Sequence, residues 1–140
     1  MLTDFPAGAD PAVESVVAAS PLALIRLIAP TTTAERLARA VEGASGFLYL
    51  ISRLGVTGVR DQAPPDLPGH VARVRAVSPL PLAVGFGIGT PAQARAAARL
   101  ADGVVVGSAI VDALGAGGLV AVERLVRELA AAVHQQGAAA

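Results

Sequence analysis

The sequence predicts a single α/β domain over residues 1–140, built on a parallel sheet. Short apolar runs recur along the chain, and an Ala-, Arg- and Glu-rich segment with helical spacing follows each of them. The runs are apolar almost throughout, which is typical of parallel strands that are covered on both faces. Strands that alternate with helices form right-handed βαβ units. About five consecutive βα units are therefore expected.

The elements can be placed one by one. MLTDFP is predicted to be the end of a strand, and further strands are predicted at 22–29, 46–52, 81–87 and 102–108. Helices are predicted at 12–20, 31–44, 70–77, 90–100, 108–114 and 119–135, with a tail that frays over 131–140. Their start signals are Asp10 before Pro11, a capping box of Thr32 with Glu35, and a second capping box of Thr90 with Gln93. A long Gly/Pro loop fills 53–68.

Composition excludes several classes of function. The chain has 54% hydrophobic residues and a formal net charge of zero, which predicts a folded domain and argues against a nucleic-acid or anionic-membrane surface. It has no cysteine, which excludes disulfides and thiolate metal sites and fits a reducing cytoplasm. The start MLTDFPAGAD does not have the pattern of a signal peptide. His70 and His134 lie outside every motif and are predicted at the surface, so no metal site is expected.

The stretch VGFGIGTPAQ (84–93) carries three glycines between a strand and a helix start. It is not the dinucleotide-binding pattern G-x-G-x-x-G, because Thr90 stands three residues after Gly87. In a (β/α)8 barrel, phosphate often binds at the loops after the last two strands, beside a short extra helix. GFGIG follows one strand, and Gly107 with Ser108 ends the next and opens a short helix. Either the backbone amides of Gly87, Gly107 and Ser108 hold a phosphate, or the glycines only make tight turns.

Three segments carry a family resemblance. They are IRLIAPTTTAERLARAVEGASGFLYLISRLGVTGVR, LPLAVGFGIGTPAQA and ADGVVVGSAIV, and they closely resemble the alpha subunit of tryptophan synthase. LTDFP resembles that family's strand-four segment, so the likeness runs from about residue 2 to residue 130. The resemblance implies a partial (β/α)8 barrel, strands four to eight, in one domain.

The resemblance also implies an activity. The family is a lyase of tryptophan biosynthesis that cleaves indole-3-glycerol phosphate to indole and glyceraldehyde 3-phosphate without a cofactor of its own. Its partner is a pyridoxal-phosphate beta subunit, which receives the indole through a tunnel. By resemblance, phosphate would be held by Gly58, Gly87, Gly107 and Ser108. Tyr49 and Phe86 would line the indole pocket, and Arg53 to Gly58 would form a mobile loop in which Thr57 helps to position a catalytic group.

The sequence departs from the family where catalysis is concerned. The family's catalytic glutamate and aspartate belong to strand two and the loop after it, and nothing in this chain matches them. We therefore expect a C-terminal barrel segment with no catalytic residue of its own, inactive in isolation and prone to self-association. The alternatives are a non-catalytic module that binds a phosphate ligand or the beta subunit, and a fragment without function.

Overall fold

The described residues form a four-stranded parallel sheet that is connected by helices. The computed structural model describes residues 5, 8, 10–52, 66–85 and 87–134. The strands are β1 (Arg26–Ile28), β2 (Leu48–Ile51), β3 (Leu82–Gly85) and β4 (Gly103–Val104), in the sheet order β1-β2-β3-β4. The helices are α1 (Pro11–Ala18), α2 (Ala34–Val41), α3 (Leu67–Arg75), α4 (Pro91–Ala98) and α5 (Ser108–His134). The predicted α/β fold with a parallel sheet is confirmed, while the strand predicted in MLTDFP lies outside the described residues except for Phe5.

The register gives the sheet two distinct faces. Leu48 pairs with Arg26 on one side and with Leu82 on the other, so these three residues stand in one row. Because side chains alternate along a strand, every second residue points to the same face. One face joins the helices in a single hydrophobic core, made of Ile28, Leu48, Leu50, Leu82 and Val84 with Leu37, Val71, Val74 and Ala97 from the helices. The opposite face carries Leu27, Tyr49, Ala83 and Gly85.

Two helix starts follow the prediction. The Asp10 carboxylate accepts hydrogen bonds from the amides of Ala12 and Val13, with Pro11 in the first turn of α1. At α4, the Thr90 hydroxyl accepts from the Gln93 amide, and the Gln93 side chain accepts from the Thr90 amide. Both arrangements satisfy amides that have no partner within the helix.

The predicted start of α2 is wrong by one residue. Thr33, not Thr32, is the N-cap, and its hydroxyl accepts from the Arg36 amide. The Thr32 hydroxyl instead accepts from the amide of Ala29, back toward β1. Three successive threonines offer equivalent caps in sequence, and the turn out of β1 engages the second of them.

The last helix is bent. Gly117 and Gly118 have non-helical backbone angles, with φ of 63° at Gly118, so two helical segments meet there. This agrees with the prediction of a short helix followed by a long one. The second segment continues to His134, into the range predicted to fray, and 135–140 lie outside the described residues. In the ranges described, no helix is long and apolar enough to cross a bilayer.

An acidic side chain joins β3 and β4 at their amino ends. Asp102 Oδ2 accepts from the Leu82 amide at 2.8 Å and from Arg75 at 3.0 Å. The Leu82 amide, and then the Arg75 guanidinium, hold the pKa of the Asp102 carboxyl below its ordinary value. Asp102 thus lies at the edge opposite the glycine loops.

Candidate functional site

Two glycine-bearing loops meet at the carboxyl ends of β3 and β4. Val104 is in register with Val84, and the Val105 amide donates to the Val84 carbonyl at 2.8 Å. The loop after β3 then touches the start of α5, because a Cβ built on Gly89 would lie 3.4 Å from the Cβ of Ala109. The structure therefore brings the Gly87 loop and the Gly107–Ser108 turn to one edge of the sheet.

The amino end of α5 has no side-chain cap from its preceding residue. The Gly107 carbonyl accepts from the amides of Ile110 and Val111, which places Gly107 at the cap position. Glycine has no side chain to bond the first amides of the helix, which also lack partners within it. Such a terminus carries partial positive charge and suits an anion. A Cβ built on Gly107 would meet nothing within 4 Å, and Ser108 beside it is exposed.

The three glycines of VGFGIGTPAQ have different surroundings. Gly85 must leave room for Tyr49, since a Cβ there would lie 1.9 Å from the Tyr49 hydroxyl oxygen. Gly87 has φ of 74°, a left-handed conformation that side chains disfavour. Gly89 lies against α5, and its amide donates to the side-chain oxygen of Gln93 at 2.8 Å. Packing thus explains Gly85 and backbone conformation explains Gly87, whereas a Cβ would be tolerated at Gly89 and at Gly107.

Tyr49 lies on the sheet face that is turned away from the helices. It is 7% exposed, and its ring covers the end of β3 at Gly85. Burial raises the pKa of the Tyr49 hydroxyl, so that group is neutral at physiological pH. Its position beside the glycine loops suits a wall of a ligand pocket. The other predicted site residues, Thr57, Gly58 and Phe86, and the loop from Arg53 to Gly58, lie outside the described residues.

Sequence reasoning missed two features and misplaced one residue. It missed the contact of Tyr49 with Gly85, which follows once β2 and β3 are set in register. It also missed that Arg26, the one charge inside the run LALIRLIA, is only 7% exposed. His70 is half-buried rather than at the surface, and its Nδ1 has no hydrogen-bond partner among the described residues. His134 is exposed, as predicted.

A second hollow lies on the helix side of the sheet. It is a groove of about 260 Å³ between β4, α4 and α5, lined by His134 and by apolar side chains that include Val104, Ile110 and Leu129. It lacks the converging polar groups that fix a ligand's orientation. Among the described residues, no cluster of His, Asp and Glu has the arrangement of a metal site. The glycine loops are therefore the candidate site.

Comparison with known proteins identifies the family. The family model of the tryptophan synthase alpha chain matches residues 1–139. The chain is 46% identical to the tryptophan synthase alpha chain of Novosphingobium aromaticivorans over 134 residues, which are 94% of this chain and 50% of that protein. It is 50% identical to the tryptophan synthase alpha chain of Mycobacterium avium over 115 residues, which are 82% of this chain and 42% of that protein.

Solved structures give the same result. A structure of Mycobacterium tuberculosis tryptophan synthase superposes with a TM-score of 0.83 at 43% identity, over 94% of this chain and 49% of that one. The structure of a mutant alpha-subunit from Pyrococcus furiosus superposes with a TM-score of 0.73 at 28% identity, over 94% of this chain and 52% of that one. These neighbours are (β/α)8 barrels, and the chain spans about half the length of the curated relatives it matches. This chain belongs to the tryptophan synthase alpha chain family.

Proposed function

We propose that the chain carries the phosphate-binding part of a tryptophan synthase alpha-type site. Its ligand would be indole-3-glycerol phosphate or a similar phosphate ester. One observation carries this proposal: the contact of Gly89 with Ala109 joins two glycine loops beside the uncapped start of α5. In (β/α)8 barrels this edge is where phosphate groups bind.

The proposed recognition uses backbone dipoles. Neither 86–90 nor 105–109 contains Lys or Arg, so amides at the start of α5 and in the Gly87 loop would supply the positive potential. Ser108 would add a hydroxyl donor. Tyr49 offers an apolar ring with a neutral hydroxyl for the aromatic part of the ligand, and Phe86, Thr57 and Gly58 join it by resemblance to the family.

The full reaction of the family needs catalytic carboxylates that have no match in this sequence. Cleavage of indole-3-glycerol phosphate to indole and glyceraldehyde 3-phosphate requires an acid–base group within hydrogen-bond reach of the proton it moves. By resemblance, those carboxylates belong to strand two and the loop after it. We therefore propose that this chain alone does not release indole, and that it acts in tryptophan biosynthesis only together with the other half of the barrel. The beta subunit is its proposed partner, and a reducing cytoplasm its proposed location.

The phosphate proposal is tested at Gly107. Alanine fits there without a clash, so Gly107→Ala is expected to leave the fold unchanged while its methyl group obstructs an approaching phosphate. Titration with glycerol 3-phosphate, followed by amide NMR, should shift Gly87, Gly107 and Ser108 most in the parent and little in the variant. Gly115→Ala is the matched control, since Gly115 lies on the same helix and also faces open space. Equal binding by all three proteins would refute the proposal.

A non-catalytic binding module is the second candidate. The chain keeps the phosphate-side loops and matches no catalytic carboxylate, and this favours binding without turnover. Indole release is measured for the chain alone and after co-expression with the N-terminal half of a relative. Activity only in the second case supports a split enzyme, and phosphate binding without activity in either case supports the module. Turnover by the chain alone would show that the carboxylate argument is wrong.

A further inference from the structure

Arg26 is a charged residue on the apolar face of the sheet. Its side chain is on the same face as Ile28, which is 1% exposed, and Arg26 itself is only 7% exposed. Burying a guanidinium in such a layer is costly unless it is paired and hydrogen-bonded. An apolar side chain would serve the packing better, so the charge calls for another explanation.

The contacts of Arg26 converge on the residues that lead into α1. Its Nη2 lies 2.7 Å from Glu14 Oε1 and its Nη1 donates to the Phe5 carbonyl at 3.3 Å. The guanidinium carbon stands 5.7 Å from the centre of the Phe5 ring, within cation–π range. Glu14 Oε1 also accepts from the Gly8 amide at 2.9 Å. One ion pair therefore holds both Phe5 and Gly8.

The positions of Phe5 and Gly8 before α1 indicate at which edge of the sheet they lie. They lead into α1 as the Gly87 loop leads into α4 and Gly107 into α5. α1 ends at Ala18, and the chain then enters the amino end of β1, so the start of α1 is directed toward the opposite, carboxyl edge, where ligands bind in α/β sheets. Phe5 and Gly8 thus belong to the same edge as the candidate site.

We propose that Arg26 is a positioning residue. Together with Glu14, it fixes Phe5 and Gly8 at the carboxyl edge of the sheet, and it does so at the expense of packing. The inference rests on the proposed function only in taking this edge to be the ligand-binding edge. It assigns Arg26 to the placement of Phe5 and Gly8 rather than to the stability of the domain.

The test separates local order from stability. The double variant Arg26→Met/Glu14→Gln removes both charges and places an apolar side chain on the apolar face. Replacing a buried ion pair in this way is often neutral or stabilising. We expect unchanged or greater resistance to urea, while hydrogen exchange of the Gly8 amide accelerates about tenfold or more, or about 1.4 kcal/mol of lost protection. The Ser52 and Val105 amides, which donate within the sheet, should keep their exchange rates.

The matched control is the exposed pair of Glu35 with Arg39 on α2, whose side chains are 79% and 72% exposed. Arg39→Met/Glu35→Gln should change neither urea resistance nor Gly8 exchange. If the double variant at Arg26 leaves Gly8 exchange unchanged, the positioning role is refuted. If it weakens the whole sheet and accelerates all three amides together, Arg26 is a stability residue and the proposal fails. The exchange measurement contains no phosphate, so its outcome does not depend on whether phosphate binds.

Discussion

Substitutions at Gly85 and Tyr49 should be energetically coupled, so that the cost of a substitution at one position in free energy of unfolding depends on the residue at the other. A Cβ on Gly85 would lie 1.9 Å from the Tyr49 hydroxyl oxygen, 2.4 Å from Cζ and 3.1 Å from Cε1. Those distances require the ring to move, and Tyr49 is 7% exposed with Leu27 and Ala83 beside it in register. Overpacking of this kind typically costs about 1–3 kcal/mol. We expect Gly85→Ala to lower the free energy of unfolding by roughly 2 kcal/mol on that basis.

The second substitution identifies the cause. Tyr49→Phe removes only the hydroxyl, and Cζ still lies 2.4 Å from the new methyl group, so Phe should not rescue Gly85→Ala. Tyr49→Leu removes the ring, and in that background Gly85→Ala should cost almost nothing. Urea unfolding of the four proteins in the Leu cycle gives the coupling free energy, expected at about 1–3 kcal/mol for residues in contact. Gly115→Ala serves as the control in open space. Equal costs of Gly85→Ala in the Tyr and Leu backgrounds would refute the reasoning.

Three further predictions concern the site, the sheet and the surface. Gly87→Val should abolish glycerol phosphate binding in the NMR titration, while Ser108→Ala should weaken it by about 0.5–1.5 kcal/mol, or more with a charged acceptor. Gly43→Val, at a glycine with φ of 68°, controls for backbone strain alone. Because its pKa is lowered in the folded state, the Asp102 carboxylate stabilises the fold above its unfolded pKa of about 3.9 and loses that effect as pH falls through the folded pKa. Asp102→Asn should therefore reduce stability at pH 7, and the difference from the parent should shrink in acid unfolding curves. Sedimentation should show the parent self-associating and Leu119→Glu less so, because Leu119 is 79% exposed; a monodisperse parent would contradict this.

Local signals in the sequence predicted much of the fold. The caps of α1 and α4 were predictable because Asp10 and Thr90 act within one helical turn. The choice between Thr32 and Thr33 was not, since it depends on which hydroxyl the turn out of β1 engages. The parallel sheet followed from apolar runs that alternate with helices, but its register did not.

The site was predictable to the extent that it is made of loops. Gly87 and Gly107 stand out at successive strand ends, and the structure brings those ends together. The contact of Tyr49 with Gly85 depends on register, and the ion pair of Arg26 with Glu14 joins residues 12 positions apart, so neither is visible in a local pattern. The roles of Thr57, Gly58 and Phe86 stay predictions.

The sheet order has a consequence for how the molecule comes together. Each described strand pairs with the strand next to it in sequence, from β1 through β4, so every pairing spans one βαβ unit. Because each pairing needs only the strand before it, structure can spread along the chain in the direction of synthesis. The meeting of Gly89 with Ala109 waits for the last strand and the first turn of α5. The phosphate-side edge is therefore assembled at the end of this order, and an incompletely synthesised chain would hold a sheet before it held a site.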